Sequence, residues 1–150
     1  MAYMKWTSDL NTGIPVIDHQ HQRIVEYINQ LHDALEKNDR SQVGLVLEQT
    51  VEYTLSHFTF EEDLQEEAGY PFAHAHKKVH QLFCRKLAEF QERFELGEDI
   101  GRPLLTQLRT WLINHIKRDD ADYVEAVKAF MESSGSSHHR KKGFFARLLG

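Results

Sequence analysis

Ten of the 150 residues are histidine, and several stand one helical turn from a second histidine or a carboxylate. His57 and Glu61 are spaced i, i+4, and so are His76 and His80. On an α-helix that spacing puts both side chains on one face, one turn apart. Imidazole and carboxylate donors without a thiolate suit iron, manganese or zinc, and not an iron–sulfur cluster. The chemistry they offer is metal binding, provided the rest of the chain brings them to one place.

The elements that would do so are helices. Apolar residues recur at helical spacing nearly throughout, and strand-period alternation is absent. Glycine and proline punctuate the pattern: Gly13 and Pro15 in an N-terminal arm, then Gly69 and Pro71, then Gly97, Gly101 and Pro103. The spacing predicts helix A from about Asp18 to Lys37 and helix B from about Ser41 to Glu67. Helix C starts near Pro71, and helix D starts near Pro103 and continues to about Phe130. Pro71 and Pro103 suit first-turn positions, where the missing N–H costs nothing. Four such helices with short connections make an all-α, up-down-up-down four-helix bundle.

The apolar stripes sort the histidines. On helix A, His21 shares the stripe of Ile17, Ile24, Ile28 and Leu31, whereas His19 lies off it. On helix B, His57 and Glu61 continue the stripe of Val43, Leu47, Thr50 and Thr54. His76 and His80 lie on the stripe of helix C with Phe83 and Leu87, while His74 falls on the side of Lys78 and Gln81. Helix D carries His115 on the stripe of Leu108 and Trp111. Asp119 and Asp120 follow it. Helical geometry slightly favours Asp119, because a residue at i+5 is rotated about 140° from the first; periodicity leaves the choice open. A single histidine on a core stripe is ordinarily a hydrogen-bonded core residue. Here all four helices carry one, and two also bring a carboxylate. Without a metal such a core would bury many unpaired polar groups at high cost.

Five histidines exceed what one ion takes, which points to two ions in the bundle core. Five imidazoles, two doubly bridging carboxylates and one bridging solvent oxygen fill all but one position of two octahedral ions. One open position suits end-on dioxygen and leaves no second place for an organic substrate.

The bulk numbers set limits on other readings. The length fits one domain, expected to span residues 1–132 with a tail over 133–150. No apolar run approaches the ~20 residues that cross a bilayer, and the N-terminal residues lack the apolar core of a secretory signal. Cys84 is the one cysteine, so no intramolecular disulfide forms; it reads as filler near the core. A cytoplasmic location is the expectation. Of the net charge of −5, the last 13 residues contribute +4, which leaves −9 for residues 1–137. An acidic body argues against nucleic-acid binding.

Four stretches taken together resemble the hemerythrin family, and in particular its single-domain bacterial members. These are Gly13-Ile14 with Ile17-Asp18-His19-Gln20-His21; His57-Phe58-Thr59-Phe60-Glu61-Glu62; Tyr70-Pro71 with His76, His80 and Phe83; and Trp111-Leu112-Ile113-Asn114-His115-Ile116 with Asp120. The likeness runs from about Trp6 to Phe130. It implies two non-haem iron ions with a bridging oxo or hydroxo group. His76, His80 and His115 would bind one iron, and His21 and His57 the other, which keeps the open position. Glu61 and Asp120 would bridge, the family pattern selecting Asp120 over Asp119. It further implies an apolar dioxygen pocket from Ile24, Phe58, Trp111, Leu112 and Ile116. A dry pocket disfavours escape of charged superoxide and entry of water.

The implied function is reversible dioxygen binding for carriage, storage or delivery, and not enzymatic turnover. The competing readings are an O2 or redox sensor that signals to a partner, and a di-iron oxidase or nitric-oxide-handling enzyme. The C-terminal segment is a departure from the shared core. Ser133–Ser137 reads as a flexible Ser/Gly linker. His138–Gly150 is basic, then apolar, with Phe144, Phe145, Leu148 and Leu149 on one face if helical. It suits a groove on a protein partner or an anionic membrane surface; otherwise it folds back on the acidic bundle or stays disordered.

Overall fold

The computed structural model describes residues 2–135. Within them all regular structure is helical. A short 3-10 turn, Ser8–Leu10, precedes α1 (Pro15–Glu36), α2 (Arg40–Glu67), α3 (Ala73–Glu95) and α4 (Gly101–Asn114). A π-helical turn, His115–Asp120, then joins α4 to α5 (Ala121–Gly135). The tail reading for His138–Gly150 lies outside the described residues. Of the expected Ser/Gly linker, Ser133–Gly135 continue α5, and Ser136 and Ser137 also lie outside.

Helix ends follow local chemistry. Pro15 occupies the first turn of α1, so this helix begins three residues before the predicted Asp18. Proline is tolerated there because first-turn N–H groups have no helical partner. Pro71 instead precedes α3, which is led in by Phe72. Asp39 caps α2 by accepting from the Gln42 amide at 3.1 Å. Three helices close in the same way, on a residue with positive φ: Asn38, Gly69 and Gly97. Behind each, the next amide reaches five residues back: Asp39 to Ala34, Tyr70 to Gln65 and Glu98 to Arg93. This closure requires a left-handed residue, which glycine supplies without strain.

The helices enclose two apolar clusters. The larger holds Ile24, Ile28, Leu31, Val46, Leu47, Phe58, Phe83, Leu87, Leu104, Leu108, Leu112 and Ile116, with Met4 and Leu10 from the N-terminal arm. Half-buried Cys84 packs against it, and burial together with Glu62 raises its thiol pKa. The smaller cluster holds Ile14, Ile17, Leu64, Tyr123 and Val127. On each of α1, α2 and the α4–α5 strut, a buried polar stretch lies between the residues given to one cluster and those given to the other. On α1 that residue is His21, between Ile17 and Ile24. Neither amide atom of buried Gln65 meets a protein hydrogen-bond partner.

A buried carboxylate ties the end of the arm to α1. Asp18 accepts from the Thr12 amide at 2.7 Å, the Thr12 hydroxyl at 2.8 Å and the Gly13 amide at 3.1 Å. It thereby orients the first turn of α1, one turn before His21. Hydrogen bonds to a charged group contribute about 1.5–3 kcal/mol, and an orphaned buried donor costs about 1–3 kcal/mol. Asp18→Ala should therefore destabilise the metal-free protein by about 2–3 kcal/mol in urea unfolding. A change under about 0.5 kcal/mol, the range of ordinary surface substitutions, would contradict this role.

Candidate metal centre

Five of the seven expected ligands come from continuous α-helix, His115 and Asp120 are the first and last residues of the π-turn, and all seven are buried. His21, His57, Glu61, His76, His80, His115 and Asp120 are each 6% exposed or less. His19 and His74, set aside on periodicity, are exposed. The five imidazoles turn Nε2 inward onto the two carboxylates. His57 Nε2 lies 2.9 Å from Glu61 Oε1, and His80 and His115 reach the same oxygen at 3.5 and 3.4 Å. His21 Nε2 lies 3.0 Å from Asp120 Oδ2, while His76 and His115 reach Asp120 Oδ1 at 3.3 and 3.0 Å.

Two donor sets emerge, each with its ligand atoms within 4.8 Å of one another: Glu61, His76, His80 and His115; and His21, His57 and Glu61. Glu61 belongs to both. Asp120 also touches both, through His21 on one side and His76 and His115 on the other.

Of these contacts, His115 Nε2 to Glu61 Oε1 has hydrogen-bond geometry; most of the others are close without it. The Nε2 atoms of His21, His57 and His76 and both oxygens of Asp120 are buried with no hydrogen-bond partner. Lone pairs that converge in a dry interior without donors between them repel, unless a cation sits among them. The donor set therefore fits two borderline divalent or trivalent metal ions.

Asp120 reaches the cluster because of the π-turn. In an α-helix it would point about 140° away from His115. The π-turn closes its ring at i→i+5 and so returns the fifth residue over the first. The slight α-helical preference for Asp119 fails for that reason: Asp120 Oδ1 lies 3.0 Å from His115 Nε2. π-turns inside helices are frequent at functional sites.

Aromatic and aliphatic walls close the cluster on one side. Phe58 stacks on His80 at 3.8 Å between centroids, and Trp111 stacks on His115 at 4.5 Å and on Phe83 at 3.8 Å. Ile24, Phe58, Leu112 and Ile116 are buried, and half-buried Trp111 packs on them. Two polar partners went unread in the sequence. Tyr123 donates its hydroxyl to Glu61 Oε2 at 2.5 Å, and Gln20 Oε1 lies 2.6 Å from His57 Nδ1. Both bridge distant helix positions, which periodicity does not link.

The sequence profile of the hemerythrin HHE cation-binding domain matches residues 12–127. The bacteriohemerythrin of Pseudomonas aeruginosa is 55% identical over 131 residues, covering 87% of this chain and 86% of the relative. The chain belongs to the hemerythrin family. The bacteriohemerythrin of Stenotrophomonas maltophilia is 49% identical over 149 residues, 99% of this chain and 97% of its own. A solved wild-type hemerythrin superposes with a TM-score of 0.80 at 31% identity, covering 84% of this chain and 98% of that one. The family binds a di-iron centre and dioxygen, and the buried histidine–glutamate cluster is of the type that such a centre needs.

Burial and neighbours set the protonation of the cluster. Desolvation lowers the pKa of His57 and of His80, against the pull of Glu61. Burial alone would raise Glu61, but His57, His115 and His80 hold it well below the ordinary carboxylate range. Asp120 is held below that range too, by His115 and His21, despite burial and the Glu61 charge. Burial, with the charges of Asp120 and Glu61, raises the Tyr123 hydroxyl, which stays a donor. Metal ligation requires neutral imidazole and ionised carboxylate, the state that these shifts favour.

The same shifts fix a pH dependence. Unfolded histidines take protons near pH 6.5, whereas folded His57 and His80 do so only at lower pH. Their contribution to stability is present above about pH 6.5 and is lost as the pH falls below it. The unfolding midpoint of metal-free protein should fall between about pH 7.5 and about pH 5.5, and less so for His57→Gln. Equal slopes for wild type and variant would contradict these shifts.

Proposed function

We propose that the chain binds dioxygen reversibly at a non-haem di-iron centre, for carriage, storage or delivery. In this reading His76, His80 and His115 hold one iron, and His21 and His57 hold the other. Glu61 and Asp120 would serve both, beside a solvent-derived oxo or hydroxo group. The observation that carries the assignment is the pair of donor sets that share Glu61. The seven side chains are supplied by an up-down-up-down four-helix arrangement, with α4, the π-turn and α5 together as the fourth helix.

The bound irons would supply the electrons that hold dioxygen. The chain's residues position and enclose them. Tyr123 orients Glu61 through its 2.5 Å hydrogen bond. Ile24, Phe58, Trp111, Leu112 and Ile116 exclude water and form the ligand pocket. His21 and His57 are the two imidazoles of their set, so the iron that they would hold would be the one with room for dioxygen. The histidine-rich donor set and apolar wall favour binding over oxidation of an organic substrate.

The core of this function is assigned to residues 1–132, in the cytoplasm. Among the described residues, no helix is long and apolar enough to cross a membrane. Residues 138–150 are assigned a separate contact, with a protein partner or an anionic membrane surface. That segment is not peculiar to this chain, since the Stenotrophomonas relative aligns over 149 residues. It also keeps open the second reading, in which dioxygen or redox state is reported through the tail.

Reduced protein should gain a visible charge-transfer band in air and lose it when dioxygen is removed. Immediate oxidation with no reversible band would refute carriage. Iron content should be two per chain and should fall to one or none in His57→Ala or His80→Ala; two irons in both variants would refute the ligand assignment. A chain ending at Gly135 should keep its dioxygen affinity within about twofold, the free-energy range of ordinary surface changes. A larger shift would favour the sensing reading over carriage.

A further inference from the structure

Each imidazole of the cluster has an inner and an outer nitrogen. With Nε2 turned inward on all five, the proton of the metal-holding tautomer belongs on Nδ1. What the outer nitrogen meets then decides how firmly that tautomer and ring orientation are held.

The structure treats the outer nitrogens unequally. Nδ1 of His21 and Nδ1 of His80 are buried with no hydrogen-bond partner. The acceptor near His80 Nδ1 is Glu62 Oε1, at 3.8 Å, beyond hydrogen-bond range. His57 differs: Gln20 Oε1 lies 2.6 Å from its Nδ1, across the α1–α2 interface. Gln20 is half-buried and adjacent in sequence to His21. One residue of α1 thus braces the imidazole that α2 contributes, beside the imidazole that α1 itself contributes.

The chemistry of the acceptor matters as much as its position. A carboxylate would draw the Nδ1 proton strongly and make Nε2 a richer electron donor. A carboxamide oxygen is uncharged and draws it less. Burial also disfavours any charge change at His57, so the neutral pairing suits its site.

We propose that Gln20 is a positioning residue that locks His57 in the Nδ1–H tautomer. By offering a neutral acceptor, it limits electron donation to the iron with the open position, which slows that iron's oxidation in air. This inference rests on the ligand assignment made above.

The test uses the full chain in two states. In metal-free protein with nitrogen-15-labelled histidine, long-range proton–nitrogen correlations report each tautomer. His57, identified by its absence in His57→Ala, should be Nδ1–H, and Gln20→Leu should remove that preference. Gln20→Glu has the same shape, so it should retain the tautomer. In iron-loaded protein, Gln20→Leu should lose about 10- to 100-fold in iron affinity against a chelator, as for other outer partners. Gln20→Glu should keep its iron, lower the midpoint potential and speed air oxidation severalfold. A role in folding alone would leave the potential of the isosteric variant unmoved. The proposal is overturned by an Nε2–H His57 in wild type, by an unchanged tautomer in Gln20→Leu, or by an unchanged potential in Gln20→Glu. The metal-free readout holds whichever residues bind iron, so it separates failure here from failure of the ligand assignment.

Discussion

Everything in this fold answers to one constraint: a layer of five imidazoles and two carboxylates is buried between two apolar clusters. Along α1 the order is Ile14 and Ile17, then His21, then Ile24 and Ile28. Along α2 it is Leu64, then Glu61, Phe58 and His57, then Leu47 and Val46, with Phe58 already part of the larger cluster. From α4 to α5 it is Leu112 and Ile116, then Asp120, then Tyr123 and Val127. The apolar layers bring the helices together, and the polar layer opposes them. Burying one unpaired polar group costs several kcal/mol, so an ion in the centre would stabilise the middle layer. Metal binding and folding are then coupled, because the free energy of one appears in the other.

The legible parts of this arrangement were those that repeat along one helix. Polar residues on an apolar stripe single out His21, His57, Glu61, His76, His80 and His115, and the same stripes set aside His19 and His74. Burial agrees at each of these positions. The stripes work because a regular helix maps sequence onto direction. They fail where the helix is not regular. The π-turn changes that mapping over His115–Asp120, and the second carboxylate was visible through family likeness alone. Pro15 reads as part of the arm because a proline marks either a helix start or a loop, and its neighbours do not decide which. Gln20 and Tyr123 were missed for another reason. Their partners are 37 and 62 residues away, so each pairing exists only after the helices have packed.

Aromatic stacking links the centre to the larger core. Phe58 lies flat on His80, and Trp111 lies flat on both His115 and Phe83. Flat contacts of this kind restrict ring rotation while adding no charge or donor. Two imidazoles of one donor set are therefore oriented by packing, and His57 of the other set by a hydrogen bond. The difference follows from position. Phe58 and Trp111 belong to the larger cluster, which supplies flat apolar surfaces on that side. His57 faces Gln20 at the α1–α2 interface, close enough to solvent for an amide to be placed without full burial.

The two carboxylates are held by different means for a related reason. Glutamate has one more rotatable bond than aspartate and loses more side-chain entropy when fixed. Glu61 stands in regular α-helix, so its backbone gives it direction but not a single rotamer. The Tyr123 hydroxyl, donating at 2.5 Å, supplies the missing restraint. Asp120 is shorter and cannot reach inward from an α-helical backbone at i+5. The π-turn brings its backbone to the layer, and neither of its oxygens accepts a hydrogen bond from the protein. Hence Glu61 is set by a side-chain partner and Asp120 by main-chain geometry. Both Asp120 oxygens face imidazoles, His21 on one side and His76 and His115 on the other.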